Sequence, residues 1–257
     1  KNRLVHQRNV GQDLPFLLQN NTSVVVTSDA GTGIGYTSLR VRGTDATRIN
    51  TTINDIPLND PESHQVYWVD IPDIVAATNS LQIQRGAGSS TNGAGAFGAS
   101  INLQTHTEES APYLQLDHAL GTFGSQRHSL SLGTGTQEKW SGDTRLGYIS
   151  SDGYVDRASA RLLSYHSQIR YMDTKNLLRI MALGGQERTY QAWGGVPQEI
   201  LDTNRTYNPY TYTNQVDNYR QHHYQIHYSR YWNRHWTSKI SGHYTKGKGY
   251  YEQYEID

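Results

Sequence analysis

Two textures of hydrophobic and polar positions divide the chain. From Tyr113 onward the two kinds alternate: Leu114 and Leu116 with Gln115 and Asp117, and Leu130 and Leu132 with Ser129 and Ser131. Leu163, Tyr165, Ile169 and Tyr171 share one parity, while His166, Gln168 and Arg170 take the other. Tyr224, Ile226 and Tyr228 oppose Gln225, His227 and Ser229, and Trp236, Ile240 and Tyr244 oppose Thr237, Lys239 and His243. Successive side chains of a strand point to opposite faces, so the pattern predicts about seven strands between 113 and 250, each with one apolar and one polar face. Turns are expected at 121–124 and 133–137, and a longer irregular stretch at 190–217. A soluble sandwich and a membrane barrel both alternate in this way. The run 159–173 is longer than the usual sandwich strand of about five or six residues, which favours the barrel.

Residues 1 to about 108 read differently, with Gly, Asn, Thr and short β-branched runs. Residues 14–18, with Pro15 at a first-turn position after Asp13, predict a short helix. Val24-Val25-Val26, Leu39-Arg40-Val41 and Ile53 predict short strands, 71–81 a second short helix, and 81–84 and 101–105 two further strands. The whole amounts to a small α+β domain of about a hundred residues.

Composition narrows the classes. Lys plus Arg equals Asp plus Glu at 23 each, so no net field invites nucleic acid. Cysteine is absent, which removes disulfides and thiolate metal sites. Mean hydropathy is −0.73, and no stretch reaches the roughly 18 consecutive apolar residues of a spanning helix. A β-barrel remains open, because lipid-facing and lumen-facing residues average to a polar composition. Tyr (19 residues, against 3 Phe) suits boundaries between apolar and wet surroundings. The opening Lys1-Asn2-Arg3-Leu4 has no apolar core of an export signal.

The segment 84–103 is the richest in glycine and holds a formal G-x-G-x-x-G at Gly93, Gly95 and Gly98. A dinucleotide site needs that motif after a buried strand and at the start of a helix. Here a polar loop precedes it and a strand-like alternation follows. Glycines that let a loop pack closely against surrounding walls account for it better.

Arg85-Gly86, Ser89 to Gly98 and Ile101-Asn102-Leu103 together resemble the plug signature of TonB-dependent outer-membrane receptors. Leu39-Arg40-Val41-Arg42-Gly43 is similar to the family's earlier R-x-R-G element. Ile53-Asn54-Asp55-Ile56-Pro57-Leu58 resembles its D-G-x-P turn, without the usual Gly. Ser151-Asp152-Gly153-Tyr154 looks like an early-barrel loop. Trp193 to Pro197, Asn204 to Pro209 and Tyr244 to Tyr251 are similar to receptors of Bacteroides-like Gram-negative bacteria.

The resemblance implies a mainly β protein: a small α+β plug domain, residues 1–108, followed at 109–257 by antiparallel strands of a transmembrane β-barrel of about 22 strands. At about ten residues per strand only the first third of such a barrel is present, so the chain is expected to be an incomplete portion of a larger protein. The implied function is energy-coupled import of a scarce nutrient across the outer membrane of a Gram-negative cell. An iron chelate such as a siderophore or haem comes first, then cobalamin or a glycan. Implied partners are the TonB-ExbB-ExbD complex, whose docking segment is not recognisable before Lys1, a small-molecule or metal-chelate ligand, outer-membrane lipid and a surface lipoprotein. No resident cofactor is implied.

Arg42 and Arg85 match plug arginines that pair with barrel carboxylates in the family, and charge-assisted pairs could latch the plug; the alternative is ordinary solvated arginines. Plug apices follow the R-x-R-G element and the proline turn, which gives Asp45, Arg48, Asn59, Asp60, Glu62, His64 and Gln65 as substrate-binding candidates, or else a solvated turn cluster. In the long loop Trp193, Tyr207, Tyr210 and Tyr212 either contact ligand or belong to an aromatic girdle or ordered loop core.

Eleven histidines invite a metal reading. His223 and His227 lie on one strand face roughly 13 Å apart, too far to share an ion, and His222 and His223 face opposite ways. H-E-x-x-H, G-x-S-x-G and the phosphate-loop motif are absent, so an enzyme is not expected. The rival class is a secreted carbohydrate-binding or adhesive β protein. The two readings separate on fractionation: the receptor should travel with outer membranes and need detergent, whereas monodisperse behaviour of the intact protein in plain buffer would favour the rival.

Overall fold

The computed structural model describes residues 9–87, 96–105 and 110–254. The first element among the described residues is a single helical turn, α1 (Leu14–Leu17), with extended Asp13 before it and Pro15 in its first turn. Two short hairpin strands follow, β1 (Val24–Ser28) and β2 (Thr37–Val41). A four-stranded sheet then forms from β3 (Ile49–Ile53), β4 (Ile56–Pro57), β5 (Ser80–Arg85) and β6 (Ala99–Gln104), in the order β4-β3-β6-β5. β3 runs parallel to β6, and β5 runs antiparallel to it.

The helix expected over 71–81 shrinks to α2 (Ile74–Ala77). Ile71 and Thr78 are not helical, and Asp73, just before the turn, takes the left-handed conformation at φ 55°. Pro72 disfavours helix at the residue before it, which accounts for the late start. The glycine missing from the 53–58 turn is replaced by two consecutive positive-φ residues, Asn54 (54°) and Asp55 (68°). Asn and Asp tolerate that region, and a pair of positive φ values suits the tight hairpin between β3 and β4.

Of the Gly-rich motif, Gly93 and Gly95 lie outside the described residues. At Gly98 a Cβ would sit 2.0 Å from Thr44 Oγ1. The Gly98 amide donates to Arg48 O and its carbonyl accepts from Gly86 N. Close packing is therefore what this glycine does.

The second half is a seven-stranded antiparallel sheet in strict sequence order. Its strands are β7 (Tyr113–Leu120), β8 (Gln126–Gly133), β9 (Trp140–Ser151), β10 (Ala160–Met172), β11 (Asn176–Tyr190), β12 (Val216–Tyr231) and β13 (Thr237–Tyr251). The last five hold 12 to 16 residues each, far beyond a usual soluble strand. Connections alternate between short turns at one rim and loops at the other, the longest being 191–215, which contains α3 (Gln198–Leu201).

Parity assigns the two faces. Leu162, His166, Gln168, Met181, Leu183, His223, Gln225 and His227 are buried against the first domain. Leu114, Leu116, Leu163, Ile169, Ile180, Tyr224, Ile226 and Tyr244 face away and are exposed.

The main core gathers Leu14, Leu39, Val41, Ile49, Ile53, Trp68, Ile101 and Leu103 from the first domain, and Leu183 from β11. A second cluster joins Ile34 and Val69 to Ile149, Ala160 and Leu162 of the wall. At Gly185 a Cβ would lie 2.3 Å from Pro72 Cδ, so the missing side chain makes room for the segment 71–73.

That segment carries the one charged contact between the halves whose partners are deeply buried among the described residues. Asp73 receives a bidentate grip from Arg127 (Nε to Oδ1 2.8 Å, Nη2 to Oδ2 2.9 Å). Arg145 stands 3.9 Å away and Asn9 Nδ2 donates at 3.2 Å. Side-chain exposure is 1% for Asp73 and 8% for Arg127. Removing one partner of such a pair leaves an uncompensated buried charge, at a cost of about 3–5 kcal/mol. Asp73→Asn should therefore loosen the first domain against the wall, read as faster amide exchange over 71–77 while β10–β12 stay protected. Unchanged exchange would contradict this anchoring role.

Candidate ligand groove and docking contacts

Between the loop after β4 and the inward face of β12 and β13 lies a groove of about 910 Å³. Asn59, Asp60, Glu62 and Gln65 of the expected apex line it, with Tyr36, Tyr67 and Asp70 from the first domain and Tyr219, Gln221, His223 and His243 from the wall. Asp45, Arg48 and His64 do not line it. Asp45 caps a short turn at Thr47, Arg48 is exposed, and His64 sits at φ 60° in the turn that Asp60 closes.

The four lining residues have different duties. Asn59 accepts from Thr51 N (2.7 Å) and donates to Ile49 O and His64 O (both 2.9 Å), so its amide holds the loop on β3. Asp60 accepts from Ser63 N and Glu62 N; these backbone donors, Ser63 foremost, keep its carboxyl below the usual range. Glu62 and Gln65 are left facing the groove as adaptable polar groups.

Arg42 and Arg85 are both exposed. The Arg42 guanidinium passes 3.7 Å from where a Gly86 Cβ would be, which puts the two elements expected to carry the latch side by side. Among the described residues neither arginine is in an ion pair, and the cross-domain pair that does form has its acid, Asp73, on the first domain.

The long loop is stitched down by backbone acceptors. Arg157 donates to Tyr210 O (2.9 Å) and Asn208 O (2.8 Å), and buried Asn208 donates to Asp156 O and Gln191 O. Tyr190 OH reaches Tyr210 O and Tyr212 O, while Tyr212 OH donates to Glu252. Tyr207 is partly exposed. Trp193 stands edge-on to Tyr36 at 5.2 Å and to Tyr251 at 6.3 Å, which connects this loop to the groove.

Residues that sequence reasoning passed over hold the floor of the groove. Tyr36 OH donates to Asp217, and Asp70 is buried beside both Asp217 and Asp60. Burial first, then the Asp217 and Asp60 charges, push the Asp70 carboxyl up to about 7. Asp13 is raised too, chiefly by burial. Lower down, Asn54 Nδ2 donates to Gln225 Oε1 (3.1 Å) and Gln225 returns a bond to Ile53 O (3.3 Å). Arg127 and Gln225 were detectable in principle, since both occupy the inward parity of their strands. Asp70 ends a three-residue 3-10 turn (Trp68–Asp70) and Asp73 sits in irregular backbone, and neither carries a periodic signal.

A carboxyl raised on folding binds its proton more tightly in the folded state. Its stabilising contribution is therefore complete below its unfolded value of about 4 and is lost as pH rises through about 7. Wild type should lose stability across that window and Asp70→Asn should lose less, measured as thermal midpoints from pH 4 to 8. Identical slopes would remove Asp70 as the cause.

Residues 3–100 match the model of the TonB-dependent Receptor Plug Domain family. No curated protein matches the chain by sequence. In fold it is similar to the ferric-catecholate import receptor Fiu from E. coli K12 in its closed form, at 15% identity and a TM-score of 0.74, covering 93% of this chain and 35% of that one. The ferric citrate transporter FecA in its unliganded form gives 17%, 0.71, 94% and 38%. The siderophore receptor PiuA from Acinetobacter baumannii gives 16%, 0.69, 92% and 34%. The chain thus spans about a third of the length of these receptors. Family match and fold agree: residues 3–100 match the plug-domain family, and the chain as a whole, including the seven antiparallel strands that follow, shares the fold of these solved structures.

Proposed function

We propose that this chain is the plug (1–108) and early wall (109–257) of a receptor that imports an iron chelate, siderophore or haem, across the outer membrane. The groove between the apex loop and β12–β13 carries this reading. At about 910 Å³ it has the size of a small-molecule site. It also combines aromatic rings with adaptable polar groups, which suits a rigid polar chelate. Energy would come from TonB-ExbB-ExbD acting on the segment before the plug. The Arg42 and Arg85 pair, exposed and adjacent, would latch the plug to carboxylates of further wall strands.

The chelate's own iron would stay with the cargo. Glu62, Gln65 and Gln221 would hydrogen-bond its periphery, with Tyr67 and Tyr219 as ring contacts. The proposed surface lipoprotein would approach at the long-loop rim, beside 191–215. Removal of a few polar contacts should weaken binding without unfolding the wall. Glu62→Ala with Gln65→Ala is expected to raise the chelate dissociation constant by about tenfold, on the order of 1.4 kcal/mol. A deletion strain fed single iron sources gives the decisive readout: unchanged uptake of every ferric siderophore and of haem would sink the iron reading, and cobalamin or glycan would come next.

A further inference from the structure

Along the outward face, the ends of β10–β13 nearest the long loop carry charges of one sign. Arg161 lies directly opposite Arg188, Arg220 opposite Lys248, and His222 opposite Lys246. Their chain neighbours Leu162, Glu187 and His223 are buried inward, so alternation turns these side chains out. Arg161, Arg188, Arg220, Lys246 and Lys248 are all exposed. Among the described residues none of the five is in an ion pair. No Asp or Glu occupies the outward parity of these four strands.

Like charges placed directly across a strand pair repel, so two such pairs side by side call for an anion between them. Immediately below, on the same face, Leu163, Ile169, Ile180, Tyr224, Ile226 and Tyr244 are exposed and apolar. The opposite ends are unlike this: there Arg230 is folded over the Trp232 ring, 4.3 Å from its centre.

We propose that these five cations form a binding belt for the phosphate groups of outer-leaflet lipid. The inference rests on the receptor reading, in which this wall crosses the outer membrane with its long-loop rim outermost. A layer of phosphates directly above a hydrocarbon layer matches a row of cations directly above an apolar band. Arg forks pair bidentately with phosphate oxygens, and neighbouring strands about 4.8 Å apart let one phosphate bridge two of them. An acidic protein would have to lie against the lipid boundary to reach the same row. Commitment to lipid follows from that position.

The test uses the intact receptor in nanodiscs of phosphatidylcholine, with or without diphosphorylated lipid A. Lipid A should raise the thermal midpoint of wild type, with an apparent affinity about 100-fold weaker in Arg161→Gln/Arg188→Gln/Arg220→Gln, since each cation near an anionic surface is worth about 1 kcal/mol. Arg188→Gln alone should lose several-fold, and Arg188→Lys little. Equal lipid A response in wild type and both Gln variants would overturn the belt. So would an equal response to millimolar inorganic phosphate in phosphatidylcholine alone, or a response to polyglutamate and none to lipid A. Outer-membrane fractionation separates the failures: if both proteins fractionate there with equal lipid response, only the belt falls. If neither fractionates there, the receptor reading falls with it.

Discussion

A charged carboxylate cannot be taken out of water without a cation to meet it, and Asp73 is met by Arg127 from another domain. The seating of the segment 71–77 on the wall follows from that demand. The αL backbone of Asp73 aims its side chain at the wall. Pro72 just before it fills the hollow at Gly185. Arg145 adds a second cation nearby. Around this anchor, Leu183 joins the plug core and Ile34 with Val69 completes a cluster on the wall. The apolar contacts supply area, and the ion pair supplies register. A slide of one strand position would turn Arg127 to the outward face.

The long strands were legible because their period-two pattern is dictated by two different surroundings. Leu163 and Ile169 must face away from the plug, and His166 and Gln168 must face toward it, so the two faces of the 13-residue β10 differ along much of its length. The plug was legible chiefly through its resemblance to family motifs, since its strands of five or six residues leave little room for a period to appear. The helix over 71–81 was overread for a physical reason: its apolar residues pack into the core from a mostly irregular backbone, and a helical spacing there reports burial alone.

The candidate groove was half legible. Asn59, Asp60, Glu62 and Gln65 fell together because one turn holds them all, and the turn follows a recognisable proline. What the sequence could not separate was which of them face a ligand and which build the loop. Asn59 spends its whole amide on Ile49, Thr51 and His64, a fact of pairing across five to ten residues that spacing does not encode. The wall side of the groove, Tyr219 to His243, required knowledge of which strands enclose the apex, and register over more than 150 residues is a tertiary property.

The polarity of the plug–wall contact bears on how such a plug could move. An interface made only of Leu and Ile would be stabilised by each square ångström buried and would release through no defined intermediate. Here Asn54–Gln225, Tyr36–Asp217 and Asp73–Arg127 carry much of the fit. Hydrogen bonds of this kind exchange with water at a net cost of only about 0.5–1.5 kcal/mol each, with more for charged partners. Water that enters the groove can therefore replace the Tyr36–Asp217 contact first, while the buried Asn54–Gln225 bond and the Asp73–Arg127 pair hold longer. Under the proposed import, this ordering would let the apex rearrange around a bound chelate before the segment 71–77 leaves the wall, so that ligand exchange and plug displacement are separable steps with different energetic thresholds.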